Sequence, residues 1–327
     1  MIILTGGTGM IGSMIAWHLN TILNENKFVI FDDLINQNQE KNIGKRKFID
    51  LIDKNNLPKF LRNNKKISAV IHMGAISATT ESNFNKLLIS NIRYSQMLWS
   101  WCSANKVPFI YASSAATYGG GENGYDDDES SLSKLNPLNA YGYSKHFFDQ
   151  WVCAQLNSNQ PSPPQWCGLK FFNVYGPNEY HKNRMASVVF HAFNQFQKEK
   201  EIKLFKSENQ NYKDGMQLRD FIYVKDAVEY VMFFLKNNHI SGLFNSGTGA
   251  AQSFNDLAEA VIKNTGGDKS NIKYIDMPND LKGKYQYYTE ANLDKILSTG
   301  LNLKFKNLEE GVNDYMKNYL LTSDRYA

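Results

Sequence analysis

Cysteine is nearly missing from this chain: three residues in 327, Cys102, Cys153 and Cys167, with no Cys-x-x-Cys pair and no His nearby at zinc-finger spacing. Neither a disulfide framework nor a structural metal site is suggested, and a reducing cytoplasm is the expected home. No run of about eighteen apolar residues occurs, so no segment reads as a membrane-spanning helix and no membrane partner is expected. No basic segment precedes the apolar run Met1-Ile2-Ile3-Leu4, so a secretory leader is not expected either. Charge of one sign is not in excess: 36 Lys and Arg face 32 Asp and Glu, a net +4 spread along the chain, which gives no reason to expect nucleic acid. With 42% apolar and 21% charged residues the composition is that of an ordinary folded protein, neither disordered nor collagen-like. The length allows one large or two ordinary domains.

What is present is a β-α-β-α succession. Ile2 to Leu4, Phe28 to Phe31, Val70 to His72, Phe109 to Ala112 and Gly168 to Asn173 read as short apolar strands separated by helical stretches. Such a pattern argues for a doubly wound α/β fold, a parallel sheet with both faces covered by helices. Asn157 to Gln165 holds three of the eight prolines and reads as a surface loop. From Arg184 the pattern changes: a helix through Ala192, a strand Ile202 to Phe205, a polar stretch Ser207 to Gln217, then Arg219 to Val224 leading into another helix. Gly242 to Asn245 reads as a strand, Ser253 as a helix cap answered by Asp256, and Leu308 to Leu320 as a last helix.

Thr5-Gly6-Gly7-Thr8-Gly9-Met10-Ile11-Gly12 follows the first strand and opens a helix. Its glycines allow a tight turn and let a pyrophosphate approach backbone N–H groups at a helix N-terminus. Asp32 ends the second strand twenty residues past Gly12, where a carboxylate can accept hydrogen bonds from an adenosine ribose. The sheet is therefore expected to be a dinucleotide-binding Rossmann sheet. Asp33 follows, and Lys41 is the nearest cation, so NAD is favoured over NADP; Lys41, Lys45 or Lys54 swinging in would supply the charge that NADP needs.

Tyr141 and Lys145 lie four apart on a predicted helix, so they share a face. An ammonium there is expected to lower the phenol's pKa and make it a base for an alcohol that is losing hydride. The strand ending at Ser113-Ser114 places a hydroxyl at the carboxyl edge of the sheet, where ligands of such sheets bind, and Ser114 can hydrogen-bond the reacting oxygen.

With these motifs together the chain resembles the extended short-chain dehydrogenase/reductase superfamily, through Thr-Gly-Gly-x-Gly-x-x-Gly, Asp32, His72-x-Gly74-Ala75, Ser114 and Tyr141-x-x-x-Lys145. Within it, Ala78-Thr79-Thr80-Glu81, Ser113 to Gly120, Phe172 to Lys182, Met185-Ala186-Ser187-Val188, Phe244 to Gly249 and Leu281-Lys282-Gly283-Lys284-Tyr285-Gln286 look like the ADP-L-glycero-D-manno-heptose 6-epimerase family. That resemblance implies inversion of C6 of an ADP-heptose by transient oxidation to a ketone and reduction from the other face, on one tightly bound NAD or NADP without metal. It also implies a step toward the lipopolysaccharide core and a homo-oligomer, a pentamer in the family. The implied domains are 1–172 plus about 219–248 for the dinucleotide and about 173–218 plus 249–327 for the ADP-sugar.

By the same resemblance the acid/base residues are Tyr141 and Lys182, assisted by Ser114 and Lys145. The plain alternative for Lys182 is a phosphate-binding or solvated side chain. The implied cofactor residues are Gly6, Gly9, Met10, Ile11, Gly12, Asp32, Asp33, Lys54, Met73, Gly74, Ala75, Ile76, Ser77, Asn91, Tyr141, Lys145 and Val174. The implied substrate residues are Ser114, Asn173, Arg184, His191, Phe205, Arg219 and Tyr285, with Arg219 able to offer bidentate donors to a pyrophosphate. Three features depart from the family: Arg184 stands where a Ser is usual, Gln39 where a cation is usual, and Ser207 to Gln217 is longer. A 4,6-dehydratase would need an acidic pair where Ala115 and Ala116 stand. A hexose 4-epimerase, and a dinucleotide sensor without chemistry, are the competing readings.

Overall fold

The computed structural model describes residues 1–33, 36–64, 66–279, 285–302 and 304–327. Leu281 to Lys284, part of one family-like segment, lie outside the described residues. The chain opens with β1 (Ile2–Thr5), α1 (Met10–Thr21), β2 (Phe28–Asp32), α2 (Gln37–Ile43), β3 (Asp50–Asp53), α3 (Leu57–Asn63) and β4 (Ala69–His72). It continues with α4 (Phe84–Leu87), α5 (Tyr94–Asn105), β5 (Phe109–Ser114), α6 (Ala140–Asn157) and β6 (Trp166–Phe171). Next come β7 (Asn173–Tyr175), α7 (Val188–Glu199), β8 (Ile202–Phe205), β9 (Leu218–Tyr223), α8 (Val224–Lys236) and β10 (Gly242–Ser246). Last are β11 (Ala251–Ser253), α9 (Phe254–Lys263), β12 (Ile272–Ile275), α10 (Asp294–Ser298) and α11 (Leu308–Tyr315), which runs on as a wider turn to Leu320.

Seven strands form one sheet in the order β10-β6-β5-β4-β1-β2-β3, every pair parallel. The residues of β1, β4 and β6 are buried throughout, as the apolar runs require when helices cover both faces. The core accordingly falls into two layers, one packing α1 and α8 on the sheet and the other packing α5 and α6. A three-stranded sheet, β11-β9-β7, and a pair, β12-β8, are built from the chain between β6 and β10 and after β10.

Three sequence expectations change. Gly168 to Asn173 is not one strand: β6 ends at Phe171 in the large sheet, and Asn173 begins β7, which pairs with β9 in the small one. The return toward the large sheet, expected from about residue 219, first passes through β9 of the small sheet and reaches the large one with β10. The helix expected from Arg184 starts at Val188, because the Ser187 hydroxyl accepts the Phe190 N–H and caps it there. The edge strand β3 was not anticipated; its residues are half-buried or exposed, and its apolar run is only Leu51-Ile52 between two aspartates.

Candidate active site

The phosphate turn is built from close backbone contact. Gly6 has φ +68, and a Cβ on it would stand 2.5 Å from the Gly74 nitrogen. A Cβ on Gly12 would stand 2.1 Å from the Gly6 carbonyl oxygen, so α1 can pack onto the turn only through glycine. Gly9 caps α1 without a side-chain hydrogen bond and no acidic residue occupies the first helical turn, which leaves those N–H groups suited to an anion. In front of the turn lies a groove of about 280 Å³ lined by Gly6, Gly9 to Gly12, Asp32, Gln39, Met73 to Ala75, Ser77, Ala112, His181 and Lys182. A cleft of about 120 Å³ adjoins it, between Phe31 to Asp33, Lys54, Gly74 to Ile76, Ile89, Ser90 and Tyr94. The cofactor residues expected from Gly6 to Ser77 all line one or the other. These donors, this carboxylate and this room fit a dinucleotide.

Asp32 is held in place: Thr8 N and Oγ1 donate to its Oδ2 at 2.8 and 2.5 Å, and Asp33 N donates to Oδ1 at 2.8 Å. Gln39 Nε2 donates to Thr8 Oγ1 at 3.2 Å, so the residue in the usual cation's place braces the carboxylate instead. Lys54 pairs with Asp33 at 2.5 Å, Lys45 with Asp324 at 2.7 Å, and Lys41 lies 6.0 Å from the Tyr326 ring. Lys54 thus stays in the cleft, neutralised by Asp33, while Lys45 and Lys41 face Asp324 and Tyr326. Asn91 is buried beneath the cleft, its amide spent on both backbone groups of Ile76 at 2.9 and 3.0 Å and on Ser144 Oγ at 2.9 Å, so it shapes the Gly74 to Ser77 loop from behind.

Ser114 ends β5, and its Oγ accepts the Ala116 N–H at 3.1 Å, fixing the turn that follows. Asn139 caps α6 through Gly142 N at 2.8 Å, which places Tyr141 in the first turn and Lys145 in the next. Tyr141 is buried, and the Ser114 hydroxyl stands close enough to favour the ionised phenol, so these two come together as expected. Lys145 Nζ donates to the Ala112 carbonyl at 2.8 Å, at the wall of the 280 Å³ groove. The expected depression of the Tyr141 pKa by Lys145 is not what this arrangement gives. Burial raises the phenol, the neighbouring Ser114 hydroxyl lowers it in part, and the Lys145 ammonium is spent on a carbonyl. Lys145 itself is brought down to about 8 by burial, against an upward pull from Asp149. His72, bonded to Thr5 Oγ1 at 2.6 Å and Ser95 Oγ at 2.9 Å, is pushed down to about 3 by burial and by Lys145, so it stays neutral.

Lys182 enters the same groove from the Tyr180–Met185 turn, with Nζ 3.7 Å from Met10 Sδ. Burial lowers its pKa, opposed by Glu179. The loop is pinned by that Glu179, which accepts Ser187 Oγ at 2.8 Å, Gly176 N at 3.3 Å and Ser187 N.

On the small sheet the Arg219 guanidinium is buried, 5.0 Å from the Tyr285 ring and 5.6 Å from the Phe254 ring. Its Nη1 donates to the Leu218 carbonyl at 2.9 Å and Nη2 to that of Gln286, and burial lowers its pKa. Phe205 meets Tyr285 edge-on at 6.5 Å. Asn173 and Val174 line a second groove of about 270 Å³ with Met185 to Val189, Phe221, Phe254 and Leu257. His191 Nε2 lies 3.3 Å from the Arg184 carbonyl oxygen, beside that groove's Met185 to Val189 wall. Residues 285–291 tie this side to the other: Gln286 Nε2 donates to the Gly119 carbonyl at 2.5 Å, Tyr125 to that of Tyr288, and Thr289 N to that of Leu218 at 3.1 Å. Phe254 and Tyr94 were not anticipated. Both are ordinary aromatic positions in helices, and only tertiary packing brings them to a cleft.

The model of the NAD dependent epimerase/dehydratase family matches residues 2–247. The chain is 51% identical to the ADP-L-glycero-D-manno-heptose-6-epimerase of Fusobacterium nucleatum, with 100% of each chain covered. It is 43% identical to the enzyme of that name from Nitratidesulfovibrio vulgaris, again with 100% of each covered. Among solved structures, Helicobacter pylori ADP-L-glycero-D-manno-heptose-6-epimerase superposes with TM-score 0.78 at 29% identity, covering 97% of this chain and 95% of that one. The dTDP-glucose 4,6-dehydratase of Bacillus anthracis, in complex with NAD, matches the fold with TM-score 0.77 at 18% identity, covering 99% of this chain and 98% of that one.

Proposed function

The chain belongs to the NAD dependent epimerase/dehydratase family, and from that membership we propose that it is an isomerase that interconverts ADP-D-glycero-D-manno-heptose and ADP-L-glycero-D-manno-heptose at C6. The observation that carries this reading is that Lys182 lines the dinucleotide groove beside Met10, while Lys145, one helical turn on from the buried Tyr141, donates to the Ala112 carbonyl at the wall of that groove. A bound dinucleotide supplies the removal and return of hydride at C6. The residues supply the rest. Ser114 holds the C6 oxygen, and one of Tyr141 and Lys182 accepts the hydroxyl proton as the ketone forms. The ketone then presents its other face, and the second group returns a proton to the oxygen. Burial brings the Lys182 pKa down, which makes its ammonium a readier proton donor than an exposed lysine. On the sugar-nucleotide side, Arg219 between Tyr285 and Phe254 faces a pyrophosphate or base, while Asn173 and His191 serve the sugar.

Two adjacent carboxylates, Asp32 and Asp33, with Lys54 paired to Asp33 and Gln39 bonded to Thr8, support NAD as the cofactor held. Supply of a lipopolysaccharide core precursor, a cytoplasmic location and a homo-oligomeric state are part of the proposal, resting on the family resemblance; three free cysteines accord with a reducing compartment. Among the described residues no helix is long and apolar enough to cross a membrane. The test is to incubate purified protein with ADP-D-glycero-β-D-manno-heptose and no added cofactor, follow the L-glycero epimer by NMR, and identify the dinucleotide released on denaturation. Epimer with stoichiometric NAD is expected; bound dinucleotide with no epimer contradicts the substrate.

A further inference from the structure

Behind the strand that ends in Ser114 lies a charge pair that the chemistry above does not use. Lys170 on β6 and Asp149 on α6 are fully buried, with Lys170 Nζ 3.3 Å from Asp149 Oδ2. The carboxylate also accepts Tyr111 OH at 3.0 Å and Ser113 Oγ at 2.6 Å. The ammonium donates to Thr117 Oγ1 at 2.8 Å and lies 4.7 Å from the centre of the Tyr118 ring. Thr117 Oγ1 donates in turn to the Ser114 carbonyl at 2.8 Å. Asp149 stands one and two helical turns beyond Lys145 and Tyr141. One cation therefore touches the helix that carries Tyr141 and the turn that follows Ser114.

Burying two charges carries a desolvation cost that a packed apolar pair of the same volume would avoid, so fold stability alone does not account for this pair. An ammonium has three donors and can satisfy a carboxylate and a hydroxyl at once, which no apolar side chain can do. We propose that Lys170 is a positioning residue: by holding Asp149 on α6 and Thr117 after β5 together, it sets the placement of the Tyr141 phenol against the Ser114 hydroxyl. The inference rests on reading Tyr141 and Ser114 as the proton-transfer pair. Asp149 contributes a second effect, opposing the burial that strips the proton from Lys145.

The test uses the holoenzyme and Thr117→Val, which keeps the side chain's shape and the Lys170–Asp149 pair but removes the hydroxyl link. The expected result is a kcat lowered about ten- to a hundredfold, the order that a slightly misplaced group costs. KM for the sugar nucleotide and the dinucleotide content should stay as in the parent, and Thr117→Ser should restore turnover. Asp149→Asn combined with Lys170→Met removes both charges together and should show the same selective loss. Parent kcat in Thr117→Val or in the double variant, or equal losses in Val and Ser, overturns the proposal. Tyr141→Phe measured alongside separates the two levels. If it keeps full turnover, the proton-transfer reading itself falls; if it is inactive while Thr117→Val is unimpaired, only the positioning role falls.

Discussion

On the large sheet the site is bounded by backbone, whereas on the small sheet it is assembled from side chains. The phosphate groove depends on Gly6 and Gly12, where a Cβ would come within 2.5 and 2.1 Å of backbone atoms, and it uses short stretches after β1, β2 and β4. The Arg219 cluster joins β9, β8, α9 and the 285–289 segment, held by ring contacts of 5.0 to 6.5 Å. The first kind of site tolerates almost no substitution but asks little of the side chains around it. The second can be retuned piecemeal, as suits the half of a family fold that meets different sugar nucleotides.

The sharpest way to break that contrast is Gly12→Val. The colliding atom is a backbone oxygen with no side chain to yield, so a loss of more than about 3 kcal/mol is expected together with the bound dinucleotide, read by thermal melting and cofactor content. Tyr141→Phe should leave the fold and the dinucleotide in place while lowering kcat by about 10² to 10⁴, checked by single-turnover assay. On the small sheet Arg219→Lys keeps the charge but loses the planar fork stacked between Tyr285 and Phe254. A rise in KM of about tenfold is expected, with kcat much less affected, measured by steady-state kinetics. The smallest effect is in pH. Lys145 is protonated below about 8 and loses its charge as pH rises through that value, so turnover should fall on the alkaline side. His72, held near 3, should add no limb close to 6.5, as a pH–rate profile would reveal.

How much of this was legible follows the same division. Six strands of the large sheet announce themselves because burial on both faces demands unbroken apolar runs, the edge strand β3 being the exception, and the glycine turn and Tyr141-x-x-x-Lys145 are contiguous motifs. The split at Phe172 left no mark, since an apolar run reads alike whether or not it changes sheets. Lys170 interrupts an otherwise apolar strand, and nothing local says that Asp149 on α6 faces it. Phe254 joins Arg219 through the pairing of β11 with β9, which no local pattern announces. The rise of the Tyr141 pKa was missed because helical spacing puts Lys145 on the right face without saying that its ammonium is taken by Ala112.

The central claim is that oxidation and reduction at C6 occur within one bound cycle, with the same hydride removed and returned. Substrate deuterated at C6, turned over in ordinary water without added cofactor and examined by NMR, tests it directly. The account predicts that the epimer keeps its deuterium at C6. An epimer that has exchanged it for solvent hydrogen would contradict the account, because inversion would then proceed by proton abstraction at carbon.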